Sequence, residues 1–296
     1  MAHRVVHGGP RFRAPAVIDD EVHEAIRALE ALAPLHNRPA LHAIDEARSV
    51  LPAVPHVAVF DTDFHATIPP AAATYAIPGD WREWGIRRYG FHGLSVQWAA
   101  ENVRASRLVV CHLGGGCSVT AVLDGRSVDT TMGFSPLEGV PMTTRSGSID
   151  PGALLYLLRE RGLDTETLDH SLNFDSGFAA LAGAEGMAEV QALGTAEAAL
   201  AIEVFTYRVA AAVASMAVAC GGLDALVFTA GIGENSARVR EDVCARLAFV
   251  GVELDPQRNA SASPDCEISS GRVGVHVIRA REELVAARAA QEVLGR

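Results

Sequence analysis

The sequence predicts an α/β protein large enough for two domains, and three observations carry that prediction. Short apolar, β-type runs alternate with capped stretches of helical period along the whole chain. Glycine turns stand where strands end, at residues 114–116 and 231–233. At 296 residues and 49% hydrophobic, the chain can bury a sizeable core.

The chain opens on a strand-like run, Arg4-Val5-Val6-His7, closed by Gly8-Gly9. Asp19 or Asp20 is placed to cap a helix with Val22, Ile26, Leu29 and Leu32 on one face, stopped by Pro34. A short helix over 39–50 leads through Pro52 and Pro55 to a strand over 57–60 that ends in Asp61-Thr62-Asp63. A carboxylate just past a strand's C-terminal end lies where open α/β sheets hold ligands, although a plain turn or cap role for Asp61 stays open. Residues 64–93, rich in Pro, Gly and aromatics, read as an ordered loop inserted between two domains, the kind of segment that carries ligand contacts.

Residues 108–150 read as two hairpins' worth of strand. The apolar run 108–111 ends in His112, and Gly114, Gly115 and Gly116 are read as a tight turn using positive φ. Ser118 to Leu123 alternate into a second strand, and Asp124-Gly125 signals a type I′ turn. A glycine hairpin uncovers backbone N–H groups and can cradle a phosphate without a lysine; a purely structural turn is the alternative. Asp150-Pro151 then starts a helix, and residues 195–220 form a long Ala-rich helix ended by Gly221-Gly222. A strand over 225–229, a glycine turn over 231–236, a helix through Val239, Val243 and Leu247, and a last helix over 282–294 complete the chain.

Charge and composition exclude several classes. The net charge is −11 with no basic run, which argues against a nucleic-acid surface. Every cation is arginine, and without a lysine a Walker-type phosphate loop is impossible. The five scattered cysteines form no C-x-x-C pair and suit a reducing cytoplasm, with buried thiols the plain alternative. The N-terminus has no signal-peptide pattern, and the apolar stretch 209–223 is too short to span a bilayer. Gly231-Ile232-Gly233 after a strand, with Glu253 further on, imitates a dinucleotide fingerprint, but Ser236 replaces its third glycine. A strand-to-helix glycine turn facing a glycine hairpin fits one nucleotide gripped from two sides.

Six motifs in order then carry a family resemblance: His3-Arg4-Val5-Val6-His7-Gly8-Gly9; Phe60-Asp61-Thr62-x-Phe64-His65; Arg88-Tyr89-Gly90-Phe91-His92-Gly93; His112-Leu113-Gly114; Met132-Gly133-Phe134-x-Pro136-Leu137-Glu138-Gly139 through Thr144-Arg145-Ser146-Gly147; and Gly231-Ile232-Gly233-Glu234-Asn235. Over its whole length the chain resembles acetate kinase. That resemblance implies a two-domain ribonuclease H-like fold of the actin-like ATPase superfamily, ATP, Mg²⁺, a short carboxylate such as acetate, propionate or butyrate, and a homodimer. It assigns residues 1–62 to the remainder of the N-terminal domain, joined by a C-terminal helix over 282–296, and 63–281 to the nucleotide-binding domain.

The resemblance also implies roles. Arg4 and Arg145 hold the carboxylate and the γ-phosphoryl oxygens, which a guanidinium fork matches bidentately. Phe91 joins Arg4 at the substrate, and His92 donates to transition-state oxygens. Asp61 occupies the family's catalytic aspartate position, but a carboxylate acceptor with a pKa of roughly 4 needs no base at neutral pH, so a Mg²⁺-orienting role is expected. Glu282 matches the metal-linked glutamate. His112, Gly114, Gly115, Gly116, Gly231, Ile232, Gly233, Glu234 and Asn235 line the nucleotide. Arg4 as a surface cation and His36 and His65 as structural histidines are the alternatives, and no chemistry is assigned to His36 or His65.

The sequence departs from the family at three places. The family's opening strand, Asn-x-Gly-Ser-Ser-Ser loop and lysine have no counterpart here, so the first domain is expected to be incomplete and turnover poor. His-Leu-Gly-Asn-Gly becomes His112-Leu113-Gly114-Gly115-Gly116, and Ser-Ser-Asp-x-Arg becomes Glu185-Gly186-Met187-Ala188 near the nucleotide. An acetate-type kinase is therefore weighed against a catalytically silent truncated remnant kept for ligand binding or dimerisation. Four separated polar residues suited to one reaction favour the kinase.

Overall fold

The computed structural model describes residues 1–30 and 34–295, with the side chains of residues 34–36 outside the description. The predicted Leu32 contact and the His36 side chain therefore lie outside the described residues.

Two sheets organise the chain. The first has the order β1-β3-β2, with β1 (Ala2–Val5) parallel and β2 (Ala16–Val17) antiparallel to β3 (Val57–Phe60). The second has the order β6-β5-β4-β7-β9-β8. Its strands are β4 (Arg107–Leu113), β5 (Cys117–Leu123), β6 (Arg126–Thr130), β7 (Ala225–Thr229), β8 (Cys266–Glu267) and β9 (Gly274–Val277). β4, β7 and β9 run parallel, and β5 and β6 complete an antiparallel meander.

Burial follows from residue type. All four residues of β3 and all five of β7 are buried, as expected of apolar runs covered on both faces. The helix Ala196–Ala219 covers one face of the large sheet, where Phe205, Val209 and Val213 are fully buried. Gly93–Asn102 packs on the other face against Leu108, Val110 and Val227, and Glu282–Val293 packs against that helix and against β1 and β3. Helices Asp20–Ala28 and Pro34–Val50 cover the small sheet through Ile26, Leu41 and Ile44.

Much of the predicted element list stands, and the differences have physical causes. Asp19 caps the first helix through the Val22 N–H, and Asp150 caps Pro151–Glu160 through the Gly152 N–H. Asp124 and Gly125 both have positive φ, as a type I′ turn demands. The helix predicted from residue 39 begins at Pro34 and contains Pro39, because Asn37 is locked to His7 by two reciprocal bonds of 3.1 Å. Within residues 108–150 the two hairpins share a strand, β4–β5 and β5–β6, and both are complete by Thr130. Beyond β6 the chain is irregular, braced where Arg88 donates to the carbonyls of Thr130, Thr131 and Met132 and to Glu138. Residues 64–93 contain three short helical turns, Phe64–Thr67, Pro70–Ala73 and Gly79–Glu83.

His65 is structural. Its ring joins Ser127 Oγ at 2.8 Å and the Phe91 carbonyl at 2.9 Å, which pins the loop to β6. Burial lowers its pKa, and that of His7, from 6.5 to about 4. Between those values the unfolded chain binds protons that the folded rings refuse, so stability falls as pH drops from 6.5 towards 4. Each ring contributes up to about 1.4 kcal/mol per pH unit. Asp63, raised by burial to about 6, works in the opposite sense. Urea denaturation should therefore show a clearly lower midpoint at pH 5.0 than at pH 7.5. An unchanged midpoint would mean that these rings accept protons inside the fold.

Candidate active site

The functional side chains gather where parallel strands end. Arg4 lies near the end of β1, Asp61 follows β3, His112 ends the run beside Thr229 of β7, and Glu282 follows β9. Both sheets thus present the edge that open α/β folds use for ligands.

Arg4 joins the two sheets' ends. Its Nε and Nη2 donate to the two Asp61 carboxylate oxygens at 2.8 and 2.7 Å, and its Nη1 donates to Glu282 Oε2 at 2.7 Å. Desolvation opposes the charge, but the Asp61 hydrogen bonds and the charges of Asp61 and Glu282 outweigh it and raise the guanidinium pKa. Of five guanidinium N–H donors, two remain for a ligand. Glu282 Oε1 is buried with no hydrogen-bond partner, and burial raises the carboxyl pKa, against the pull of Arg4. A buried carboxylate oxygen without a partner fits a cation. Mg²⁺ fits best, since it binds through one or two carboxylates plus phosphates and water. Glu282, beside Asp61, would hold it.

His92 and His112 form a stacked pair, with ring centroids 4.0 Å apart. His92 sits at φ 60°, a left-handed position ahead of the helix Gly93–Asn102. The turn places its Nδ1 3.0 Å from Ser118 Oγ, while His112 Nδ1 meets Ser95 Oγ at 2.8 Å. Burial, then His112, Arg4 and Arg145, push the His92 pKa well below 6.5; burial and Arg4 take His112 to about 3. Both rings are neutral at pH 7. A Ser118 hydroxyl that donates to Nδ1 assigns the His92 proton to Nε2, which is then a donor.

Arg145 closes the group. Its Nη1 donates to the Pro136 carbonyl at 3.3 Å, and burial lowers its pKa. The backbone is held by Ser146 N–H to the Leu172 carbonyl and Met142 N–H to the Arg145 carbonyl, both 3.1 Å. A Cβ added at Gly116 would lie 3.1 Å from His92 Nε2 and 3.7 Å from Arg145 Nη1, so both groups converge on the glycine turn. None of Gly114, Gly115 and Gly116 has positive φ, against the predicted turn. These glycines serve by lacking side chains. A Cβ added at Gly114 would lie 3.5 Å from the Ala230 methyl, an ordinary contact, and one at Gly115 would face open space.

Beside this turn lies a cavity of about 310 Å³ lined by Gly114, Gly115, Gly186, Met187, Gly231 and Ile232, among others. Asn235, Ser236, Thr143 and Gln191 supply its polar side chains, and no ionisable group reaches it among the described residues. The predicted glycine turn over 231–236 is in fact a short helix, Ala230–Asn235, which follows β7 directly. No helix starts just after Gly233; the next is Ala237–Arg246. Ala230 takes φ 65°, which costs an L-residue roughly 1–2 kcal/mol. Gly233 packs against Phe228, and Glu234 turns its carboxylate to the Ala230 and Ala280 N–H groups. Phe91 is buried, edge-on to His7.

Three contributors escaped the sequence reading. Ser118 and Ser95 orient the two imidazoles from 26 and 17 residues away, a link no local pattern reveals. Arg240 is fully buried and donates to the Gly233 and Glu234 carbonyls and to Asn259. An arginine beside Val239 on a buried helix face is the signal that could have found it.

Comparison with known proteins agrees with this geometry. The acetokinase family model matches residues 1–288. The chain is 44% identical to acetate kinase from Protochlamydia amoebophila, over 99% of this chain and 77% of that one. It is 49% identical to acetate kinase from Deinococcus deserti, over 99% and 78%. Among solved structures, a propionate kinase from Francisella tularensis superposes with TM-score 0.93 at 42% identity, over 97% of this chain and 77% of that one. Acetate kinase from Entamoeba histolytica gives 0.93 at 33% identity, over 100% and 81%. The chain belongs to the acetokinase family, with its α/β fold, its use of ATP and Mg²⁺, and its transfer of a phosphoryl group to a short-chain carboxylate.

Proposed function

We propose that the Arg4–Asp61–Glu282 and His92–Arg145 groups are the catalytic centre of this phosphotransferase, with acetate or a close homologue as acceptor. One observation carries the assignment: a hairpin glycine, Gly116, lies against both the neutral His92 Nε2 and the Arg145 guanidinium. An acceptor carboxylate oxygen attacks the γ-phosphorus as the bond to the ADP oxygen breaks, and no proton need move because the acid is already ionised. Asp61, held in the fork of Arg4, is suited to fixing that guanidinium and orienting Mg²⁺, not to taking a proton. Mg²⁺ supplies neutralisation of phosphate charge.

The remaining donors act on the transferring group. Arg145 offers charge and His92 a neutral N–H where negative charge spreads over the equatorial oxygens. The two spare N–H donors of Arg4 suit the acceptor carboxylate, whereas Phe91 is buried against His7 and is suited to supporting the site from behind. The cavity at Gly114, Gly115, Gly231, Ile232 and Asn235 fits the nucleotide. A division into a domain of residues 1–62 with the last helix and a domain of 63–281 is supported by the two separate sheets and by the packing of that helix on β1 and β3. A homodimer is supported by the exposed apolar residues Ile149, Leu155, Tyr156 and Phe174, and a cytoplasmic location by five free thiols.

The first test is acyl phosphate formation by the chain, trapped with hydroxylamine, from ATP, Mg²⁺ and acetate, propionate or butyrate. Arg145→Ala and Arg145→Lys should lower kcat by about 10²–10³ with little change in acceptor KM, because the guanidinium acts on developing charge. Arg4→Ala should raise acceptor KM most. If both variants altered KM alone, Arg145 would be only a binding residue.

The glycine turn makes a second prediction. Gly116→Ala should lower kcat at least about tenfold by displacing His92 Nε2, whereas Gly115→Ala should match the unaltered chain. Equal effects would remove the turn from the chemistry.

A third concerns the nucleotide. Gly186 and Ala188 line the cavity without charge, and a hydrogen bond to a charged group is worth about 1.5–3 kcal/mol. Weak preference for ATP over GTP is expected, and Gly186→Asp/Ala188→Arg should tighten ATP. Strong selectivity beforehand, or no tightening afterwards, would assign recognition to other residues.

A further inference from the structure

Glu234 belongs to the helix that borders the nucleotide cavity, yet it is not part of the cavity wall. Its Oε1 accepts the Ala230 N–H at 3.0 Å and the Ala280 N–H at 2.8 Å. These two backbone groups belong to different strand ends. Ala230 is the left-handed residue immediately after β7, followed by the cavity residues Gly231 and Ile232. Ala280 lies just past β9, two residues before Glu282. One carboxylate oxygen therefore bridges the nucleotide turn to the segment that presents the partnerless Glu282 Oε1.

The other end of the same short helix is also held. Arg240 Nη1 donates to the Gly233 carbonyl at 2.8 Å and to the Glu234 carbonyl at 2.9 Å, while its Nε and Nη2 bind Asn259. The helix is thus gripped at both ends and cannot shift along its axis without breaking a buried bond. Thr229, in the capping position, makes no side-chain bond to the helix, and Glu234 satisfies from within the N–H of Ala230, one of the first-turn donors that have no intrahelical backbone partner.

We infer that Glu234 is a positioning residue that sets the nucleotide turn and Glu282 in register, so that a nucleotide's phosphates and their Mg²⁺ meet the Arg4–Asp61 pair together. The inference rests on the phosphotransferase reading. It acts through geometry: the Ala230–Glu234–Ala280 bridge fixes the segment that presents the Glu282 carboxylate, which would hold Mg²⁺, relative to the nucleotide turn. Outer partners of a metal ligand are commonly worth 10–100-fold in metal affinity.

The test compares Glu234→Gln, which keeps an oxygen acceptor, with Glu234→Ala, which removes it. MgATP binding is measured by calorimetry without acceptor, together with the Mg²⁺ activation curve, kcat, KM and thermal midpoint. For E234A, MgATP binding should weaken at least about tenfold and half-saturation by Mg²⁺ should shift upward by a similar factor, with acetate KM changed less than about twofold. E234Q should stay close to the unaltered chain. A change in thermal midpoint alone would make Glu234 a brace and overturn the inference. E234Q losing as much as E234A would also overturn it, since the charge itself would then act on the ligand. If E234A fails to fold, Glu234→Asp, which withdraws the oxygen by one methylene, must show the Mg²⁺ shift or the inference fails. The unaltered chain separates the two readings: without MgATP binding or acyl phosphate formation the phosphotransferase assignment falls, whereas full turnover with a normal E234A removes only the positioning role.

Discussion

Arg4 is the interaction on which the site depends. Its guanidinium ties residues 4, 61 and 282 at the ends of two sheets, and two carboxylates share one cation. Such a cluster is stable only while each charge keeps a partner, because removing one leaves a buried charge uncompensated. The cluster carries one negative charge in excess, and Glu282 keeps an oxygen with no partner. That deficit of positive charge is what a divalent cation relieves, so the same geometry that closes the fold prepares the site for Mg²⁺.

Around this cluster, room is made by leaving side chains out. Gly116 lets His92 and Arg145 approach one point. The backbone remains ordinary at these glycines, and the strain is carried by His92 and Ala230, which adopt left-handed φ without being glycine. Residues held in such conformations persist only where surrounding bonds over-determine them. Ser118 does so for the ring of His92, and Glu234 with Arg240 for the turn at Ala230.

The electrostatics select a mode of catalysis. Burial first, then Arg4 beside both stacked imidazoles and Arg145 beside His92, keep both rings neutral, so His92 adds no further charge and can serve as a hydrogen-bond donor. Phosphoryl transfer to an already ionised acid asks for positioning and charge neutralisation, and those are what this arrangement offers. A general base would be superfluous, and Asp61 is committed to Arg4.

The sequence by itself determined the α/β class, the family and the longer capped helices with the apolar strands β3, β4, β5 and β7, because apolar periodicity, capping residues and glycine signals act over a few residues. Asp19, Asp150, Thr195 and the Asp124-Gly125 turn are cases where local bonds decide local shape. Only the tertiary structure decided how the site is supported. The extension of the second helix through Pro39 depends on Asn37 binding His7, thirty residues away. The fate of residues 131–150 depends on Arg88, and the orientation of His92 and His112 on Ser118 and Ser95. Glu234, read from its motif as a nucleotide contact, instead bridges two backbone N–H groups. These are bonds between residues far apart in the chain, whose geometry exists only after the sheets have paired and brought their strand ends together.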